Sequence, residues 1–217
     1  LIFSFALKHL THDCKETTMR KLLSGLTLAI TALAPAVAFA HPGHGDQSGL
    51  IHGFLHPVGG LDHILAMVTV GILAYQIGGP ALWLVPASFL AVMAAGGLLG
   101  VSGVSLYLVE PGIAASVVVL GVIVALALKP PVAVAIGLVA LFAVFHGYAH
   151  GVEAPVAASA ATYGAGFMLA TALLHATGIA FGMLVGRISE RQGQLGYRLA
   201  GSAVALAGLV ILTRAVI

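Results

Sequence analysis

The stretch PVAVAIGLVALFAVFHGYAHGVE, residues 131–153, decides the fold class and points to the chemistry. Residues 131–145 carry no polar side chain, and His146, Tyr148, His150 and Glu153 arrive only at the end. A spanning helix needs about 20 mostly apolar residues. Hydrocarbon offers the backbone no hydrogen bonds, and a helix supplies its own. The run therefore reads as a membrane helix with a polar site at one end. Ionisable groups so placed are costly unless they are paired, hydrated or in use.

The rest of the chain agrees. Hydrophobic residues make up 60% of it and charged residues only 7%, against about 25% charged in a soluble domain. The expectation is an all-α, polytopic membrane helix bundle whose solvent is the lipid bilayer. A net charge of +2 gives no reason to expect a nucleic-acid partner. No Walker-type phosphate loop occurs, so ATP hydrolysis by this chain alone is not expected.

Six spans are predicted, at about residues 59–77 (with entry as early as 51), 81–101, 111–128, 131–151, 156–185 and 195–216. The breaks are punctuated by Gly78-Gly79-Pro80, Glu110-Pro111, Lys129-Pro130-Pro131, Ala154-Pro155 and the polar stretch 187–194. Glycines at intervals of four, Gly147 with Gly151 and Gly178 with Gly182 and Gly186, predict close helix contacts.

Upstream, Met19-Arg20-Lys21 precedes an apolar run and then Ala38-Phe39-Ala40. A charged start, a short apolar centre and a small-x-small end predict a cleaved signal peptide over residues 19–40. Residues 1–18 read as an upstream non-native extension. Residues 41–58 read as a periplasmic His-rich segment, and residues 59–217 as the six-helix transmembrane domain. Cys14, the single cysteine, lies before the cleavage point, so no disulfide or thiolate site is expected in the mature chain.

Cleavage would leave the new N-terminus in the periplasm, and six crossings would return the C-terminus there. Lys129, Arg187, Arg191 and Arg198 then fall at the cytoplasmic face, with only Arg214 opposite. This is the positive-inside bias, reached without being used to choose the orientation. The localisation expected is the bacterial inner membrane, with both mature termini periplasmic.

Ten histidines occur, eight of them after Ala40. His41, His44, His52, His56 and His63 gather around the entry to the first span, and His146 and His150 lie at the end of the fourth. In the predicted topology these two places share the periplasmic face. Asp62 and His63 lie in the first turns of the first span. Gly59 and Gly60 before them allow a bent entry that folds His56 back towards Asp62. His146 and His150, four apart, share a helix face that Glu153 continues. Borderline divalent ions favour imidazole and accept carboxylate. The candidate metal ligands are therefore His56, Asp62, His63, His146, His150 and Glu153. The bland alternative is a structural polar network with Asp62 as a helix cap. His41 and His44 form a secondary candidate, a chelating N-terminus or a plain polar tail. His175, one turn after Thr171, is either a deeper ligand or a histidine bonded to a backbone carbonyl.

The motifs His56-x5-Asp62-His63 and Phe145-His146-Gly147-x-Ala149-His150-Gly151-x-Glu153 resemble those of the HupE/UreJ family. The signal peptide, the His-Pro start and the six spans also resemble it, from Met19 to the C-terminus. The resemblance implies a nickel or cobalt permease that is not an enzyme. It also implies that the six principal residues are needed for transport. Ni²⁺ or Co²⁺ is then the transported substrate, and no tightly bound cofactor is expected. Imidazoles ligate only when neutral, so uptake should weaken below about pH 6. Two rivals remain open from the residues alone. One is an intramembrane zinc-dependent hydrolase, although no His-Glu-x-x-His pairs a base with the first ligand. The other is a metal-binding accessory or sensor protein.

Overall fold

The computed structural model describes residues 47–154, 160–187 and 190–217, and these contain no strand. The expected signal peptide, the extension before it, His41 and His44 lie outside the described residues. Seven helices follow in order: α1 (Gln47–Gly59), α2 (Leu61–Ile77), α3 (Ala81–Val101), α4 (Val109–Ala125), α5 (Val132–Val152), α6 (Ala160–Gly186) and α7 (Glu190–Val216). Of these, α3, α5, α6 and α7 are long and apolar enough to cross a membrane. The bent pair α1–α2 makes a fifth if it counts as one span. Helix α4 is apolar but has 17 residues, about 25 Å of helix against about 30 Å of hydrocarbon. Outward-facing side chains are apolar, including Trp83, Leu98, Leu199 and Leu206. The chain is a multi-pass membrane protein.

The entry to the bundle is more ordered than its composition suggests. Residues 47–59, expected mostly as a periplasmic segment, form α1, with Pro57 inside its last turn. The chain breaks at Gly60, which is extended (φ −96°, ψ 120°), and α2 leaves at 83° to α1. The bent entry predicted from the paired glycines is thus present, but between two helices. At the other end of the sequence, α7 begins at Glu190, so most of the polar stretch 187–194 is helical rather than a loop.

Glycine decides how closely these helices pack. The most extensive contact is α3 against α5; α4 lies on α7, and α1 and α2 both lie on α6. A Cβ at Gly147 would overlap the Met93 carbonyl oxygen, and one at Gly151 the Gly97 carbonyl oxygen. The i, i+4 spacing of these two glycines therefore serves backbone contact with α3. Likewise, Gly178 meets the Val68 carbonyl of α2, and Gly182 and Gly186 make room for the Tyr75 ring. The core between the helices holds Met67, Leu73, Phe89, Met93 and Leu120, all at or near zero exposure.

Successive helices from α2 onward alternate in direction. The starts of α2, α4 and α6 and the end of α5 line one cavity. The ends of α2 and α6, the segment after α4 and the start of α7 line another.

Candidate metal centre

The cavity at the first end holds about 570 Å³. Its walls carry His52, His56, His63, His150, Asp62, Glu110, Glu153 and Tyr163. The six principal residues predicted from sequence lie in this cavity or directly beneath it. The two motifs, nearly a hundred residues apart, meet because α2 begins where α5 ends.

Three donors stand at the mouth. His56 Nε2 donates to Glu153 Oε2 at 2.8 Å, and His150 Nδ1 lies 4.0 Å from the same oxygen. One ligand atom from each of His56, His150 and Glu153 lies within 4.8 Å of the other two, a spread that a single cation can bridge. His56 does not fold back onto Asp62 as the sequence suggested. The 83° bend at Gly60 turns it towards α5 instead. Glu153 is the residue just past the end of α5, and about half of its side chain remains exposed.

Below the mouth, two imidazoles are set by fixed partners. Asp62 Oδ1 accepts both the backbone N–H of His63 at 2.8 Å and its ring Nδ1–H at 3.0 Å. This bonding assigns the Nδ1–H tautomer and leaves the Nε2 lone pair bare, with no partner among the described residues. Asp62 thus satisfies one of the free first-turn N–H groups of α2, as a helix cap would, while it also orients the His63 ring. Ser116 of α4 gives its only hydroxyl hydrogen to the Ile113 carbonyl at 2.6 Å. The 2.9 Å contact from Ser116 Oγ to His146 Nε2 is therefore donated by the imidazole. That leaves the His146 Nδ1 lone pair bare and unpartnered. A carboxylate or hydroxyl behind a ligating histidine fixes ring orientation and raises basicity.

The rings form a continuous column. Centroids of His56 and His150 are 4.8 Å apart, His150 and His63 4.3 Å, and His63 and His146 4.8 Å. His146 is fully buried and His150 is 3% exposed, with both ring nitrogens of His150 unpartnered. Leaving a buried polar group unsatisfied costs about 1–3 kcal/mol. A sequence that carries several such nitrogens in one column needs a purpose for them. Four imidazoles within reach of carboxylate oxygens have the composition of a site for a borderline divalent cation.

His175 is 1% exposed and outside the cavity lining, and the ring of Phe89 touches both it and His146. Neither of its nitrogens has a partner among the described residues, so the backbone-carbonyl alternative does not describe it. Sequence reasoning missed Glu110, Tyr163 and Ser116. Glu110 had a signal: it is one of few acids after Ala40 and opens the third span at the shared face. Ser116 had none, because a serine inside an apolar run looks the same whether or not it meets an imidazole.

Comparison with known proteins follows the same residues. The model of the HupE / UreJ protein family matches residues 28–211. Protein HupE of Rhizobium leguminosarum bv. viciae is 48% identical over 191 residues, covering 87% of this chain and 97% of that protein. No solved structure matches the chain.

Proposed function

Because the chain belongs to the HupE/UreJ family, a family of nickel- and cobalt-related membrane proteins and not of enzymes, we propose that it transports Ni²⁺, with Co²⁺ second, from the periplasm to the cytoplasm. The ion is captured at the cavity mouth by His56, His150 and Glu153 and passes to His63 and His146. Asp62, Glu110 and Glu153 offset the ion's charge where water is scarce and electrostatic attraction is strong. Six crossings of the inner membrane, both mature termini periplasmic and a cleaved leader over residues 19–40 complete this reading. The cavity then opens to the periplasm, and Lys129 lies at the cytoplasmic end.

The observation that carries the proposal is the pair of bare lone pairs on His63 Nε2 and His146 Nδ1, on rings 4.8 Å apart. Each is aimed by a partner on its other nitrogen. A polar network that only held helices together would satisfy these atoms with each other or with the backbone.

The test is uptake of radiolabelled nickel and cobalt by the purified protein in proteoliposomes, with and without an imposed proton gradient. Accumulation by protein-containing vesicles and not by empty ones supports transport. Metal bound stoichiometrically and never moved would sink it in favour of an accessory or sensor role. The gradient arm separates facilitated diffusion from proton coupling.

A further inference from the structure

Beneath the cluster, one imidazole has no bonding role. His175 on α6 is 1% exposed, and neither ring nitrogen has a partner among the described residues. It does not line the cavity, but the Phe89 ring packs edge-on against it at 5.2 Å between centroids and also meets His146 at 5.7 Å. Phe89 and Met93 are four apart on α3, and Thr171 and His175 are four apart on α6, so each pair lies on one helix face. Thr171 Oγ1 is 4.0 Å from Met93 Sδ while Phe89 touches His175. The two faces therefore run antiparallel in register. Thr171 gives its hydrogen to the Phe167 carbonyl at 3.0 Å, so its oxygen lone pairs remain free.

We propose that His175, Met93 and Thr171 form a second, inner site that holds the divalent ion in transit, next to the outer cluster through the Phe89 ring that touches both His175 and His146. The proposal rests on the transport reading and extends it along the bundle. Its donors are an imidazole nitrogen, a thioether sulfur and a hydroxyl oxygen. All three are neutral, and imidazole and thioether suit late first-row ions better than magnesium or calcium. The outer cavity holds three carboxylates, whereas no carboxylate stands among the inner donors. The inner site accordingly binds more weakly. That order suits passage, since conduction needs binding favourable enough to enter and weak enough to leave.

Two measurements decide it. Equilibrium dialysis of the purified protein against labelled nickel should find one bound ion fewer in His175→Ala than in the unaltered protein, with the tightest-bound ion unaffected. Met93→Leu, which keeps the volume and removes the sulfur, should weaken only the second ion, by about tenfold. In proteoliposomes both variants should take up nickel more slowly, His175→Ala by about tenfold or more. Equal stoichiometry in His175→Ala and the unaltered protein overturns the inner site. So does loss of every bound ion in His175→Ala alongside unchanged binding in Met93→Leu, the pattern of a misfolded variant. The dialysis arm does not depend on movement. Unaltered protein that takes up no nickel overturns the transport reading, while the second ion still decides the inner site.

Discussion

At one end of the bundle a cavity of about 570 Å³ is lined by four imidazoles and three carboxylates. At the other a cavity of about 490 Å³ is lined by Tyr75, Gln76, Lys129, Gln194 and Tyr197, with no imidazole or carboxylate among the described residues. The same helices build both: α2 contributes Asp62 and His63 to the first and Gln76 to the second. The backbone framework treats the two ends alike, and the side chains make them opposite. One end gathers imidazole and carboxylate donors of the kind that could hold a cation. The other offers hydroxyl and amide groups beside a positive charge. In the proposed transport this inequality would favour capture at the imidazole-rich face and departure at the other, while the ion's gradient sets the net direction.

The comparison breaks hardest at His146. His146→Ala removes a proposed ligand whose ring is fully buried and whose Nδ1 has no partner among the described residues. Nickel uptake should fall to the level of empty vesicles, a loss of more than about a hundredfold. Asp62→Asn should do the same by a different route. The amide oxygen can still accept the two hydrogen bonds from His63, so the substitution removes the charge and keeps the shape. Both variants should reach the membrane in normal amounts, as checked by immunoblot of membrane fractions beside the uptake assay. Normal uptake in both would mean that the imidazole-rich end is not the entrance, and the contrast between the two cavities would lose its functional meaning.

Much of this is legible in the sequence. The apolar runs account for six of the seven helices among the described residues, because lipid forces backbone bonds to close within each segment. Alternating direction then placed the start of the first span beside the end of the fourth, which is how His63 and His146 could be paired across 83 residues of chain. What was not legible depended on short-range geometry. The break at Gly60 was foreseen as a bend, but its 83° angle sends His56 to Glu153 rather than to Asp62. Helix α1 reads as a polar segment because the face it turns to α6 is built on small residues such as Gly53, which meets the Tyr163 backbone, while Leu50, Ile51 and Leu55 stay exposed. Ser116 escaped notice because its role depends on where its one hydrogen goes, and a sequence does not record that.

That hydrogen gives the middle prediction. Ser116→Ala leaves His146 Nε2–H without an acceptor inside the bundle. The imidazole is then free to rotate or to move its proton to Nδ1, the nitrogen that should face the ion. Loss of such an orienting partner costs about 10–100-fold in metal affinity. Ser116→Ala should weaken nickel binding in equilibrium dialysis by about tenfold, while Ser116→Thr, which keeps the hydroxyl, should restore most of it. A Thr variant as weak as the Ala variant would show that the space matters and not the hydrogen bond. The outer cluster would then be less finely set than the two fixed tautomers imply.

The smallest effect belongs to the opposite end. Lys129 is exposed beside the second cavity and touches none of the proposed ligands. Lys129→Ala should therefore leave nickel affinity within about twofold, because the captured ion sits most of a membrane thickness away, beyond a Debye length of about 8 Å in physiological salt. Its influence should fall on departure instead. A cation leaving past Lys129 meets a like charge, and removing that charge should raise the initial uptake rate by no more than about threefold, since exposed charges are strongly screened. The gain should shrink as salt inside the vesicles is raised, which separates an electrostatic cause from a change in packing. An affinity that drops when Lys129 is removed would mean that the two ends communicate through the bundle, and that the inequality between them is not set locally by the side chains at each mouth.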